Sequence, residues 1–272
     1  MRAPGTHVPL AGFAPITIDE LVTQAALLTR VDRKYVVPVA ALDVLLGQLA
    51  RSDADDAPRA LDIGGERSFG YASVYFDTVD RDSYHRSAHR RRRRFKVRTR
   101  TYVDTAECWL EVKTRGPRGT TVKQRAPHAA APDALPDDGR AFVAATLAGA
   151  GVPGVDVAGL VPVLETRYHR STVLLPATSS RVTIDTGLTF VDRAADDVPA
   201  VGTTGMAVVE TKTGSTPSAF DRALWAAGHR PVRISKFGSG LAVLHPELPA
   251  APWRRVIDRH LLPGIAPAAH AA

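Results

Sequence analysis

Along most of this chain apolar and polar residues alternate with a period of two, the mark of strands whose two faces differ. The runs Val31–Val37, Ser73–Asp77, Arg92–Tyr102, Trp109–Lys113, Thr121–Arg125, Leu164–Leu174, Arg181–Phe190 and Met206–Lys212 read as strands. Four stretches have helical spacing instead: Thr17–Leu28, Pro38–Ala50, Asp138–Ala148 and Ser218–Gly228. Pro38 suits a first helical turn, and Thr216-Pro217 suits an N-cap and first-turn pair before a helix that ends at Gly228. A short last helix is predicted near Phe237–Leu244. Segments 51–68, 127–138 and 191–205 carry Asp, Ala, Pro and Gly and read as surface loops. Residues 1–15 and 251–272 read as tails, which leaves one domain over 16–250. Many short strands with few helices predict an antiparallel α+β protein. A barrel is favoured over an open sheet, because the strands outnumber what the helices could cover on both faces.

Splitting each strand into its faces is the informative step. Arg92, Arg94, Lys96, Arg98 and Arg100 share one face of their strand, with Phe95, Val97 and Thr99 opposite. Glu111 lies with Lys113, opposed by Leu110 and Val112; Lys123 lies with Arg125, opposed by Val122. Arg181, Thr183 and Asp185 oppose Val182 and Ile184; Glu210 and Lys212 oppose Val209; Asp32 and Lys34 oppose Val31, Arg33, Tyr35 and Val37. A single basic face is most simply a solvated exterior. Repeated on at least five strands, the pattern allows two arrangements: charged faces outward over a dry core, or charged faces converging on a wet lumen with apolar faces under helices. The sparse carboxylates Glu111, Glu210 and Asp32 in a basic surround favour the lumen, since a cation that escorts phosphates needs oxygen ligands so placed.

Composition sharpens this only in part. The 272 residues carry a formal charge of +7 and are 44% hydrophobic, enough for a real core. Such a balance admits nucleic acid, acidic lipid, nucleotide or polyphosphate as partner. Five consecutive arginines, Arg90–Arg94, invite a nucleic-acid reading. Aromatic residues amount to 6% of the chain, too sparse for base stacking, so specific nucleic-acid recognition is not expected. The run reads instead as a basic rim that draws in polyanions. The single cysteine, Cys108, excludes an intrachain disulfide and a Cys-based zinc site, and fits a cytoplasmic location. No apolar run reaches the length of a membrane span.

In order and spacing, the pieces VDRKYVV, SVYFDT, FKVRTRTY, CWLEVKT, TVKQR, PVLETRYHRS, RVTIDTGL, VVETKTG and RISKFGSG resemble the vacuolar transporter chaperone (VTC) domain, within the CYTH-like triphosphate tunnel metalloenzymes. The resemblance spans roughly Thr29 to His245. It implies an eight-stranded antiparallel β tunnel lined by Lys and Arg, with surrounding helices. It also implies a polyphosphate polymerase that transfers the γ-phosphate of ATP to a growing polyphosphate chain with Mn²⁺ or Mg²⁺. By position the phosphate ligands would be Lys34, Arg98, Arg100, Lys113, Lys123, Arg170, Arg181 and Lys236, with Ser235 a further donor. Arg125 and Lys212 add charge on the same faces. Glu210 matches the family's metal-binding glutamate; Glu111 is either a second metal ligand or a partner that orients Lys113.

The sequence also departs from its relatives. Tunnel hydrolases carry an ExExK motif on the first strand, where this chain has Arg30-Val31-Asp32-Arg33-Lys34. That argues mildly against a two-metal hydrolase of tripolyphosphate or nucleoside triphosphates. A binding module for polyphosphate or nucleotide without turnover is the other alternative.

Overall fold

A computed structural model describes residues 8–24, 31–51, 56–116, 119–195 and 199–267. Parts of several predicted segments, including 25–28 of the first helix, Arg30 and the outer ends of both tails, lie outside the described residues. In chain order the elements are β1 (Ala14–Ile16), α1 (Ile18–Gln24), β2 (Val31–Pro38), α2 (Val39–Leu49), β3 (Arg59–Leu61), β4 (Phe69–Asp77), α3 (Asp82–Ala88), β5 (Phe95–Tyr102) and β6 (Glu107–Arg115). There follow β7 (Thr121–Pro127), α4 (Asp137–Gly149), β8 (Val161–Leu175), β9 (Ser180–Asp192), β10 (Val201–Thr203), β11 (Met206–Thr213), α5 (Ala219–Ala226), α6 (Lys236–Leu244), α7 (Arg254–Val256) and β12 (Ile265–Pro267). The fold is α+β. Its long strands, β2, β4 to β9 and β11, match the eight read from the alternation, and the β2–β11, β11–β9, β4–β5, β5–β6 and β6–β7 ladders are antiparallel. The short β1–β3 pair is parallel.

The chain divides into two compact units, and β8 and β9 each contribute a part to either. The first unit comprises Met1–Gly70, Tyr168–Leu188 and Thr203–Ile234. Here β11 lies between β2 and β9. The alternation places Tyr35, Val37, Val182, Ile184, Ala207 and Val209 on one face, and all of them are buried in one core with α2 and α5 residues. Leu42, Leu45, Leu46 and Leu49 supply the α2 stripe at helical spacing. Each such side chain contributes about 1.5–3 kcal/mol by leaving water. Helix α5 is capped by Ser218 rather than by the expected Thr216: Ser218 Oγ accepts from Asp221 N, and the Asp221 carboxylate accepts from Ser218 N, a capping box. Asp221 also accepts from Tyr35 Oη and Thr211 Oγ1, both at 2.7 Å, so this cap fastens α5 to the sheet.

The second unit comprises Tyr71–Arg167, Thr189–Gly202 and Ser235–Ala272. Strands β4, β5, β6 and β7 run as neighbours in that order. Their apolar face (Val74, Phe76, Phe95, Val97, Leu110, Val112) packs on Val143 and Leu147 of α4. Strand β5 begins at Phe95, so the arginine run is not strand as expected. Residues 92 and 93 form a turn just before it, and Arg90 sits at φ 54°, a left-handed conformation outside strand geometry. Helix α3 was not foreseen. Its first turn is capped from a distance by buried Asp77 on β4, which accepts from Ser83 N and Tyr84 N.

The C-terminal segment corrects the expectation of a tail. Trp253, Val256, Ile257 and Leu261 are buried in a helical run from α7 onward. A Cβ on Gly238 of α6 would collide with the Trp253 ring, and one on Gly240 with Phe190. Two glycines two residues apart, on nearly opposite sides of the helix, therefore let α6 approach Trp253 and Phe190 at backbone distance. On the N-terminal side, Val8, Leu10 and Phe13 are buried, and β1 begins within the segment read as tail.

Candidate functional site

In the second unit, strand register turns the polar faces of β4 to β7 into rows. Lys96 stands opposite Lys113, and Lys113 opposite Lys123. The next row is Tyr75, Arg98, Glu111 and Arg125; the one after is Ser73, Arg100 and Trp109. Successive rows are about 7 Å apart, two residues along each strand. Six cations in these rows surround one carboxylate. Like charges directly opposite on neighbouring strands destabilise a sheet, so this face is built to be neutralised by something anionic.

Glu111 is the hub of the face and is 1% exposed. Arg98 donates to its Oε2 through Nε (2.8 Å) and Nη2 (2.6 Å), and Lys123 Nζ donates to Oε1 at 3.2 Å. Arg100 lies 3.8 Å from Oε1. Burial pushes the Glu111 carboxyl up, but Arg98, Lys123 and Lys113 together hold it below the usual carboxylate range. Arg98 also donates to Tyr75 Oη at 3.0 Å, and the Arg125 guanidinium lies 4.3 Å over the Trp109 ring. The third row is unfinished. Ser73 Oγ, Arg100 Nε and Trp109 Nε1 are buried without a hydrogen-bond partner among the described residues, whereas buried polar groups are ordinarily paired. Ser235 closes the lysine row: it caps α6 by accepting from Gly238 N (3.1 Å) and receives Lys96 Nζ at 2.8 Å. Lys236 follows as the first residue of α6.

In the first unit the same device recurs on β2, β11 and β9. Lys34, Glu210 and Thr183 form one row, and Asp32, Lys212 and Arg181 the next. Lys212 Nζ (3.0 Å) and Lys34 Nζ (3.3 Å) both reach Glu210 Oε1. Burial pushes Glu210 up, yet Lys212, Lys34 and Arg170 hold it far below the normal carboxylate range. Burial lowers Lys212 in turn, with Glu210 opposing the shift and Arg170 adding to it. Arg170 grips Asp185 with two parallel bonds, Nε–Oδ1 at 2.6 Å and Nη2–Oδ2 at 2.8 Å. Thr183 Oγ1 is buried with no hydrogen-bond partner among the described residues.

Arg98, Arg100, Lys113, Lys123, Arg125, Glu111 and Ser235 thus come together in the second unit, with Lys236 at the start of α6. Lys34, Arg170, Arg181, Lys212 and Glu210 come together in the first. Sequence reasoning did not single out Lys96 or Asp185, although strand alternation put Lys96 with Arg98 and Asp185 with Arg181. Glu111 serves as the partner of Arg98 more than of Lys113. Both its oxygens are taken by cations, so it does not fit a metal. Glu210 fits better: both of its cation contacts fall on Oε1, and Mg²⁺ commonly uses one or two protein carboxylates and takes its other ligands from phosphate and water. Among the described residues no group of three His, Cys, Asp or Glu side chains forms a ready-made metal cage.

The family model of the VTC domain matches residues 29–245, which include every one of these side chains. This chain belongs to the VTC domain family. No curated protein matches it. Among solved structures it is similar to a candidate adenylate cyclase from Bacillus halodurans, at 14% identity and a TM-score of 0.47 over 76% of this chain and 93% of that one. A candidate adenylyl cyclase from Hippeastrum, for which a dominant triphosphatase activity is reported, is 14% identical with a TM-score of 0.44, over 79% of this chain and 96% of that one. The Schizosaccharomyces pombe Mediator head module also matches, at 10% identity and a TM-score of 0.37, over 73% of this chain and 88% of that one. At these scores the likenesses assign no chemistry to this VTC domain. Among its described residues no helix is long and apolar enough to cross a membrane.

Proposed function

We propose that this VTC domain is a polyphosphate polymerase that transfers the γ-phosphate of ATP to a growing inorganic polyphosphate chain. The observation that carries the reading is the excess of cations over carboxylates in the in-register rows of both units, with family membership supplying the substrate class. An oxygen of the terminal phosphate of the chain forms a bond to the γ-phosphorus of ATP. The bond from that phosphorus to the β–γ bridging oxygen breaks, and ADP leaves with the electron pair. Such a reaction asks the protein for alignment and charge stabilisation rather than a nucleophile.

The side chains suit that task. Arg98 and Arg170 are each held by a carboxylate, Glu111 and Asp185, so their planar forks are oriented before a phosphate arrives. Lys113 and Lys123 in the second unit, and Lys34 and Lys212 in the first, add point charge for phosphate oxygens. A divalent cation, Mn²⁺ or Mg²⁺, held by Glu210 and phosphate oxygens would supply further neutralisation of the transferring group. The reaction is assigned to the cytoplasm, which supplies ATP and keeps Cys108 reduced.

Incubating purified protein with ATP and Mn²⁺ and resolving the products by gel tests this directly. Long-chain polyphosphate with matching ADP release is expected. Release of free phosphate from tripolyphosphate without chain growth would replace the reading with a hydrolase, and tight ATP binding without turnover under any divalent ion would replace it with a binding module.

A further inference from the structure

The rows of the second unit are not equivalent. The middle row contains Glu111, which neutralises part of its charge, and the third row offers neutral donors beside Arg100. The first row contains only lysines: Lys96, Lys113 and Lys123, directly opposite one another on three adjacent strands. Lys123 turns its Nζ to Glu111 in the neighbouring row, and Lys113 lies near enough to that carboxylate to lower its pKa. Lys96 turns the other way, to Ser235 Oγ, and its Nζ lies 5.7 Å from the centre of the Phe237 ring. Of these three rows the lysine row therefore carries the most net positive charge, and Ser235, at the start of α6, lies against it.

A linear phosphate chain is not uniform either. An internal phosphate carries one ionised oxygen, whereas a terminal phosphate has a second, ionising near pH 6 in the manner of a phosphate monoester. The most charged part of the ligand matches the most charged part of the face. We infer that the Lys96–Lys113–Lys123 row is a seat for the terminal phosphate of a linear chain, and that Lys96 is a phosphate ligand that recognises the chain end. Rows two and three then follow the internal phosphates. The inference rests on the polyphosphate reading above and adds direction to it: the chain lies with its end at α6.

Calorimetric titration with linear tripolyphosphate and with cyclic trimetaphosphate tests it, because the ring has the same three phosphates and no end. The wild type is expected to prefer the linear ligand. Lys96→Met should weaken linear tripolyphosphate by about tenfold, the loss of one charge-assisted hydrogen bond, and change trimetaphosphate by less than about twofold on the same scale. Arg98→Ala should weaken both. If Lys96→Met weakens both ligands equally, or neither, end recognition is overturned while the polyphosphate reading survives. If the wild type binds neither ligand, both fall together. Should Lys96→Met not melt cooperatively, Lys123→Met on the exposed edge strand β7 provides the same comparison with the same two outcomes.

Discussion

Arg98 and Glu111 face each other across adjacent antiparallel strands, and the guanidinium places both Nε and Nη2 on one carboxylate oxygen, Oε2. The other oxygen holds Lys123. One buried acid thus orients a guanidinium and an ammonium that belong to different rows. Glu111→Ala leaves Arg98 buried and uncompensated, and a broken buried pair costs about 3–5 kcal/mol. Urea unfolding should show that loss. Added polyphosphate should restore part of it, since a ligand that binds only the folded state raises stability.

Glu210 behaves differently under substitution. Glu210→Gln should abolish Mn²⁺-dependent synthesis. In the presence of EDTA the same variant should bind tripolyphosphate at least as tightly as wild type, because a negative charge has left a face that contains Lys34, Lys212 and Arg170. Weaker binding in EDTA would instead assign Glu210 to holding the lysines.

Asp77 gives a pH signature of unusual sign. Burial raises its carboxyl from 3.8 to about 6, against the pull of three backbone N–H groups. Between those values the folded state holds a proton that the unfolded state has released. The native form therefore binds more protons, and the Asp77 contribution to stability declines as pH rises through about 6. Glu111, Glu210 and Asp221, all lowered, act in the opposite direction: their contribution is present above the ordinary carboxylate range and is lost as pH falls through their folded values. Asp77→Asn should remove the decline between pH 4 and 6 in a series of denaturant titrations, leaving only the rise due to the other carboxylates.

Tyr35 ties β2 to α5 through Asp221 and accepts from Trp225 Nε1 at 3.1 Å. Tyr35→Phe removes both bonds without altering the ring packing. A hydrogen bond to a charged group is worth about 1.5–3 kcal/mol, and a fall of that size in unfolding free energy is expected with polyphosphate affinity unchanged.

Strand faces were the most legible part of the molecule. The split of Arg98 from Val97, Glu111 from Val112 and Glu210 from Val209 follows from backbone geometry alone, and each apolar partner is buried in a core shared with helices. What alternation could not supply was which strands neighbour one another. Lys96 gains its meaning only when Lys113 and Lys123 stand beside it, a fact of register rather than of sequence. Helix α3 escaped because its cap, Asp77, lies on the preceding strand instead of next to the helix. At α5 the Thr216-Pro217 pair looked like a helix start, while Ser218 and Asp221 form the actual reciprocal cap. The C-terminal segment was misread from its Pro and Ala content, although Trp253, Val256, Ile257 and Leu261 recur at helical intervals.

That segment ends up mattering to chemistry it never touches. Trp253 lies beyond the stretch matched by the family model, yet its indole fills the space that any side chain at position 238 would need. Ser235 caps the helix whose first turn contains that glycine, so the hydroxyl that meets Lys96 begins a helix packed against a ring outside the matched stretch. An engineered variant trimmed to the family boundary would keep every proposed ligand and still lose a ring on which one of their helices packs.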